Sequence, residues 1–199
     1  MPVCEGCGMR TDDAHVERRG QRLQLAAKYR PASIKVLFLD GAPPARPEDF
    51  FYASTQDRSV RSLSARMHFD ELVKCTNANL PLNTPESSAL EEFQRRRFFL
   101  SYALECPFEE QADPQGALRR FAPNTMRRVQ SDYQPSYVVP LSPSTSDLIR
   151  LFGLVGWGDR LILNSGGPFV DPYLGDPKKQ ASFGTGYGER IKKLLAMLP

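Results

Sequence analysis

Four cysteines and a histidine are the residues best suited to chemistry here. Cys4 and Cys7 form a Cys-x-x-Cys pair near the start, with Cys75 and Cys106 far downstream. A thiolate is a strong metal ligand, and in a reducing compartment a close cysteine pair points to metal rather than to a disulfide. Four thiolates suit an iron–sulfur cluster of the 4Fe–4S kind or a tetrahedral zinc ion. Cys75 is one choice of fourth ligand. The other is His15, shortly after Cys7, which could complete a zinc set with Cys4, Cys7 and one distal cysteine. The plainer alternative makes Cys75 and Cys106 small buried apolar groups.

A second group of residues surrounds Asp40. The apolar run Lys35 to Asp40 ends on this acid, passes through Gly41, Ala42 and Pro43, and reaches Phe50, Phe51 and Tyr52 in a row. Three aromatics just past a tight loop suggest a grip on a flat ligand, although some of them could simply pack the loop onto the domain. Glu48 and Asp49 read as solvated loop acids, while Asp40, at a strand end, can face a ligand. No Gly-x-Ser-x-Gly elbow and no Gly-x-x-x-x-Gly-Lys phosphate loop occurs, and the spaced glycines at Gly184 follow no strand.

The elements that must position these groups alternate. Runs 35–40, 97–104, 136–141 and 160–164 read as strands, mostly apolar rather than alternating, as in a parallel sheet covered on both faces. Helical patterns cover 12–29 after a Thr11 cap, 60–75, 86–95 and 116–133. Another begins at Ser142-Pro143 and ends at Gly153, and the last carries Tyr187, Ile191, Leu194, Leu195 and Leu198 on one face. The pattern predicts an α/β fold, a three-layer α/β/α domain with a mainly parallel, four-stranded sheet. The whole chain, 1–199, reads as one domain in which 1–30 is a Cys-x-x-Cys segment and helix. Stretches 77–85 and 165–186 read as loops, the second long enough to suggest function or mobility. Ligands of such sheets bind beyond the carboxyl ends of the strands. That rule selects 40–52, 105–110, 142–144 and 164–169.

The formal charge of +3 comes with arginine clusters at 95–97, 119–120 and 127–128 and lysine pairs at 178–179 and 192–193. Such clusters can neutralise phosphates or merely solvate helix faces. No apolar run nears the ~18 residues that a membrane span needs, and no signal-peptide pattern opens the chain. A cytoplasmic location is the expectation, and no protein partner is inferable.

The segments "FLDGAPPARPEDFFY", "FFLSYALECPFEE", "YQPSYVVPLSPSTSDLI" and "NSGGPFVDPYLGDPKKQASFGTGYGERIKKLL" together resemble the ordered motifs of the uracil-DNA glycosylase superfamily, from Lys35 onward. Cys4, Cys7 and Cys106 are similar in placement to three cysteines of its iron–sulfur branch; the fourth has no counterpart near Pro123 to Met126. The resemblance implies DNA as partner and a divergent DNA glycosylase that flips a damaged base into a pocket. Phe51 would stack on the base beside Tyr52, with Gly41, Ala42, Pro43 and Tyr102 around it. Asp40 would steady the sugar as the N-glycosidic bond opens, and Asn164 and Ser165 would contact DNA or base. The family's motif glutamate, its base-reading asparagine (Tyr102 stands there) and its late-loop histidine are absent. The alternative is therefore a non-catalytic nucleic-acid or nucleotide-binding module of the same fold. His15 and His68 fall in helical stretches, where surface or packing roles are expected.

Overall fold

A computed structural model describes residues 1, 3–55, 57–75, 84–169 and 187–197. The central strand β1, Val36–Asp40, is buried along its whole length. It pairs in parallel with β2, Phe98–Tyr102, on one side and with β3, Tyr137–Pro140, on the other, giving the order β2-β1-β3. The register sets Asp40 beside Tyr102 and Leu39 beside Pro140. The carboxyl ends of all three strands thus open on one side of the sheet.

The sheet has three strands among the described residues, not four. Residues 160–164 give only one parallel bridge, Leu161 to Val138, through Ile162 N–H donating to Val138 O at 2.9 Å. The reason is a tight turn. Ser165 and Gly166 both take positive φ, +52° and +84°, as a type I′ turn requires. Asn164 and Gly167 close it with two backbone bonds. The chain meets β3 again only at Phe169, whose N–H donates to Pro140 O at 2.8 Å.

Helices flank the sheet. α1, Asp13–Lys28, is capped by Asp12, whose carboxylate accepts from His15 N–H at 2.8 Å; Thr11, the cap expected from the sequence, stands one residue too early. α2, Leu63–Lys74, starts later than its apolar pattern because Ser62 caps it by accepting from Ala65 N–H. α3, Glu86–Arg95, falls where its pattern predicts. α4, Pro114–Arg127, continues into a π-helical turn to Tyr133. A short 3-10 turn at Pro143–Thr145 precedes α5, Ser146–Leu154, so Gly153 lies within the helix and Gly156, at φ +78°, follows its end. α6, Tyr187–Leu195, buries Tyr187 and Ile191 and packs on α2; α4 packs on α5. The expected loops at 77–85 and 165–186 lie largely outside the described residues, as do Lys178-Lys179 and Leu198. No helix of the described residues is long and apolar enough to cross a membrane.

Candidate metal centre and crevice

Cys4 and Cys7 sit on a tight N-terminal turn. Cys4 O accepts from Cys7 N–H at 3.4 Å and from Gly8 N–H at 2.7 Å, while Cys4 N–H donates to Met9 O. Gly8 takes φ +71°, a region that L side chains rarely adopt, and its ring neighbour Phe121 leaves no room for a Cβ. The Asp12 cap fixes the first turn of α1 and with it the backbone of His15. Cys106 follows β2, held to the N-terminal turn by Glu105 N–H donating to Gly6 O at 3.2 Å.

These elements bring four donors together. The ligand atoms of Cys4, Cys7, His15 and Cys106 lie within 4.8 Å of one another, and all four residues are buried. Cys4 and Cys106 sulfurs are 3.6 Å apart, and His15 Nε2 lies 3.5 Å from Cys7 Sγ and 3.2 Å from Cys106 Sγ. Burial, then the nearby Cys7 and Cys4, push the Cys106 thiol well above its usual range. A cation in the group reverses that preference, because thiolates are its natural ligands. The group can therefore hold a metal ion.

Cys75 is not part of it. It ends α2 in the main hydrophobic core, where its thiol bonds to Glu71 O at 3.4 Å and Gly188 O at 3.6 Å, and burial raises its pKa. Of the two fourth ligands open in the sequence, His15 is the one the fold delivers. Glu110 was not legible as a partner. Its Oε2 stands 2.8 Å from His15 Nδ1 as an ion-pair contact, and Arg18 approaches its other oxygen at 3.5 Å.

A cavity of about 520 Å³ opens beyond the carboxyl ends of β1 and β3, within the ~300–1,000 Å³ typical of small-molecule sites. Three of the four strand-end segments selected by the sequence line it: Asp40 with Ala42 to Arg46 and Asp49, then Phe108 and Glu109, then Ser142 to Ser144. Tyr102, the cap residue Ser62 and, from α2, Ser64, Ala65 and His68 complete the wall. Asp40 is buried, and its Oδ1 accepts from Gly41 N–H at 2.7 Å. Burial and the charge of Asp40 raise the Tyr102 pKa, and its hydroxyl bonds to the backbone of Phe51. His68, expected to be a surface or packing residue, lines the crevice with Nδ1 2.9 Å from the Tyr187 hydroxyl.

The aromatic triplet does something other than grip a ligand. Phe50, Phe51 and Tyr52 are 3%, 2% and 1% exposed, so none presents a face to the crevice. The Phe51 ring packs on Phe69, Phe93 and Tyr52. The stacking role assigned to Phe51 and Tyr52 is thereby corrected: their hydrophobicity is spent on the core. Phe108, which sequence reasoning passed over, supplies the aromatic wall. Asn164 and Ser165 form the type I′ turn and do not line the crevice either. Gly41 lies behind the wall, where a Cβ would come within 2.1 Å of Ser144 Oγ and 2.9 Å of Phe108 Cζ.

A smaller space of about 40 Å³ lies behind Tyr102 and Pro43, lined by Arg22 and Glu105 among others. Arg22 is buried in α1, and its Nε and one terminal nitrogen have no hydrogen-bond partner among the described residues.

Among the described residues the basic clusters do not gather at the crevice. Arg95 and Arg96 pair with Glu92, and Arg97 donates to Ser33 O, all beside the amino end of β2. Arg119 pairs with Asp147, and Arg128 with Glu105. Comparison with protein-family models, with curated proteins and with solved structures finds no match for this chain.

Proposed function

We propose that this chain binds a planar, base-sized ligand in the strand-end crevice, and that the ligand is a damaged base turned out of DNA. The observation that carries the reading is the crevice itself, which sets the aromatic side chain of Phe108 and the buried carboxylate of Asp40 around one cavity. A base needs those two things: a ring to lie against and polar groups to meet its edge. Ser142, Ser144 and His68 offer further edge contacts, and Arg22 lines the small separate space on the far side of Tyr102 and Pro43.

On this reading the chain is a divergent, three-layer relative of the uracil-DNA glycosylases. Asp40 steadies the positive charge that develops on the sugar as the N-glycosidic bond breaks. The metal group braces one wall, since Phe108 and Glu109 stand in sequence between the ligand Cys106 and Glu110.

One feature favours a second reading, a nucleotide-binding module without cleavage. Arg46, a cation on the crevice wall, is paired with Glu48 and Asp49, and the arginine clusters named above are engaged elsewhere. Among the described residues the crevice rim thus offers DNA phosphates few unpaired cations.

The test is binding and base release on duplexes that carry uracil, hypoxanthine or an intact site, alongside free nucleotides. Preference for a damaged duplex, with released base lost in Asp40→Asn, supports the glycosylase reading. Tight binding of a free nucleotide with no base release selects the module. Absence of both ends the proposal.

A further inference from the structure

We infer that Cys4, Cys7, His15 and Cys106 hold one tetrahedral zinc ion and not an iron–sulfur cluster, with Glu110 as the residue that positions the histidine ligand. The inference stands apart from whatever the crevice binds.

Spacing decides between the two. A single ion with bonds of ~2.3 Å to sulfur and ~2.0 Å to nitrogen places its ligand atoms about 3.5–3.8 Å apart along the tetrahedron edges. Three of the six separations here are 3.6, 3.5 and 3.2 Å, two within that range and one slightly shorter. A cluster bonds its cysteines to different irons, which spreads the ligand atoms to roughly 6 Å. The four donors lie within 4.8 Å of one another, too close for that. A three-thiolate, one-imidazole set is a standard one for structural zinc, and its burial leaves no open coordination position for substrate.

The histidine is arranged as a ligand. Its Nε2 faces two thiols, and its Nδ1 stands 2.8 Å from Glu110 Oε2. This is a close ion-pair contact not aligned as a hydrogen bond, and no other group among the described residues bonds that buried oxygen, so it is available to the ring. A carboxylate behind the second ring nitrogen fixes the tautomer and raises the basicity of the first, the usual partner of a zinc-bound imidazole. Gly6 N–H reaches Cys4 Sγ at 3.4 Å, a bond that favours thiolate. On binding, the three thiols give their protons to solvent while His15 keeps its Nδ1 proton for Glu110.

The experiment uses the full chain, purified without added metal, assayed for zinc, iron and acid-labile sulfide, and then reloaded with cobalt(II). One zinc per chain, a colourless protein and a tetrahedral thiolate–cobalt spectrum are expected. Cys75→Ser should keep both stoichiometry and spectrum. Glu110→Gln should keep the tetrahedral spectrum but lower zinc affinity, by chelator competition, about 10–100-fold. Iron with sulfide and a broad band near ~400 nm, a folded chain that takes up no zinc, or loss of the metal in Cys75→Ser would overturn the site. Unchanged affinity in Glu110→Gln would remove Glu110 from it. Cys106→Ser should abolish binding, and if that variant does not fold, the Cys75 and Glu110 variants still decide.

Discussion

The Tyr52 hydroxyl donates to Leu100 O at 3.0 Å and accepts from Leu100 N–H at 2.7 Å. Because β2 is an edge of the sheet, both groups of Leu100 would otherwise face outward with no strand beside them. One phenol takes the place of a neighbouring strand at that point. Stacking of Tyr52 on Phe99 and on Tyr29 holds the ring there. Tyr52, the last of the aromatic triplet after the β1 loop, is therefore a sheet-edge clamp, while Phe51 packs into the core.

Phe51→Ala should accordingly behave as a core mutation. The ring is almost fully buried among Phe69, Phe93 and Tyr52, so truncation should cost about 3–5 kcal/mol. Denaturant unfolding measures it. A loss below ~1 kcal/mol together with a selective loss of base binding would return Phe51 to the ligand.

The clamp also predicts an alkaline limit. Burial drives the Tyr52 pKa well above 10.0, the ordinary phenol value. A group raised in the folded state contributes its stability in full below the unfolded pKa and loses it as pH rises toward the folded one. Wild-type unfolding free energy, relative to Tyr52→Phe, should be flat below pH ~10 and then fall by up to ~1.4 kcal/mol per pH unit. Below that pH the variant should be less stable by about 1–3 kcal/mol, since Leu100 N–H loses its partner. Parallel curves for the two proteins across pH 9 to 12 would show that Tyr52 does not set the limit.

The sequence was most legible where local chemistry and tertiary need agree. The apolar runs at β1, β2 and β3 could only be buried strands, and the rule that ligands lie beyond their carboxyl ends located three of the segments that line the crevice. It failed where one residue type serves two purposes. Phe51 and Phe108 are the same residue type, and only the packing of Phe51 on Phe69 and Phe93 says which of them the core has taken. The Cys4-x-x-Cys7 pair was readable as metal ligands, whereas the turn that holds it, with Gly8 at positive φ, emerged only in the fold. Distance along the chain hid the choice between Cys75 and His15. The sequence 160–164 reads as a strand, but the Ser165-Gly166 turn cuts its pairing to one bridge.

Phe108→Ala should separate ligand from fold. The side chain is half-buried at the crevice, so stability should fall less than in Phe51→Ala, while affinity for a base ligand drops roughly 10-fold or more, the ~1–3 kcal/mol that base stacking contributes. Equal losses of stability in the two variants, with affinity unchanged, would leave the crevice without its aromatic wall.

Gly41→Ala tests the same wall from behind. A methyl there meets Ser144 Oγ at 2.1 Å and Phe108 Cζ at 2.9 Å, so both must move toward the cavity. Overpacking of this kind costs about 1–3 kcal/mol and should narrow the site, weakening ligand binding more than thermal stability. A variant that binds as well as wild type would show that Ser144 and Phe108 yield elsewhere.

Arg22→Met separates stability from recognition in the small space behind Tyr102 and Pro43. A buried guanidinium with two nitrogens lacking hydrogen-bond partners among the described residues is expensive to fold around, and an apolar side chain of similar length removes that cost. The ligand-free variant should be more stable by ~1 kcal/mol or more, measured as a higher unfolding midpoint. If Arg22 is retained because a ligand's acceptor edge reaches it past Tyr102, the same variant should bind that ligand less tightly. Greater stability with unchanged binding would mean that Arg22 serves neither fold nor ligand. Lower stability would mean that buried water already satisfies the guanidinium and that the small cavity is part of the core's own polar network.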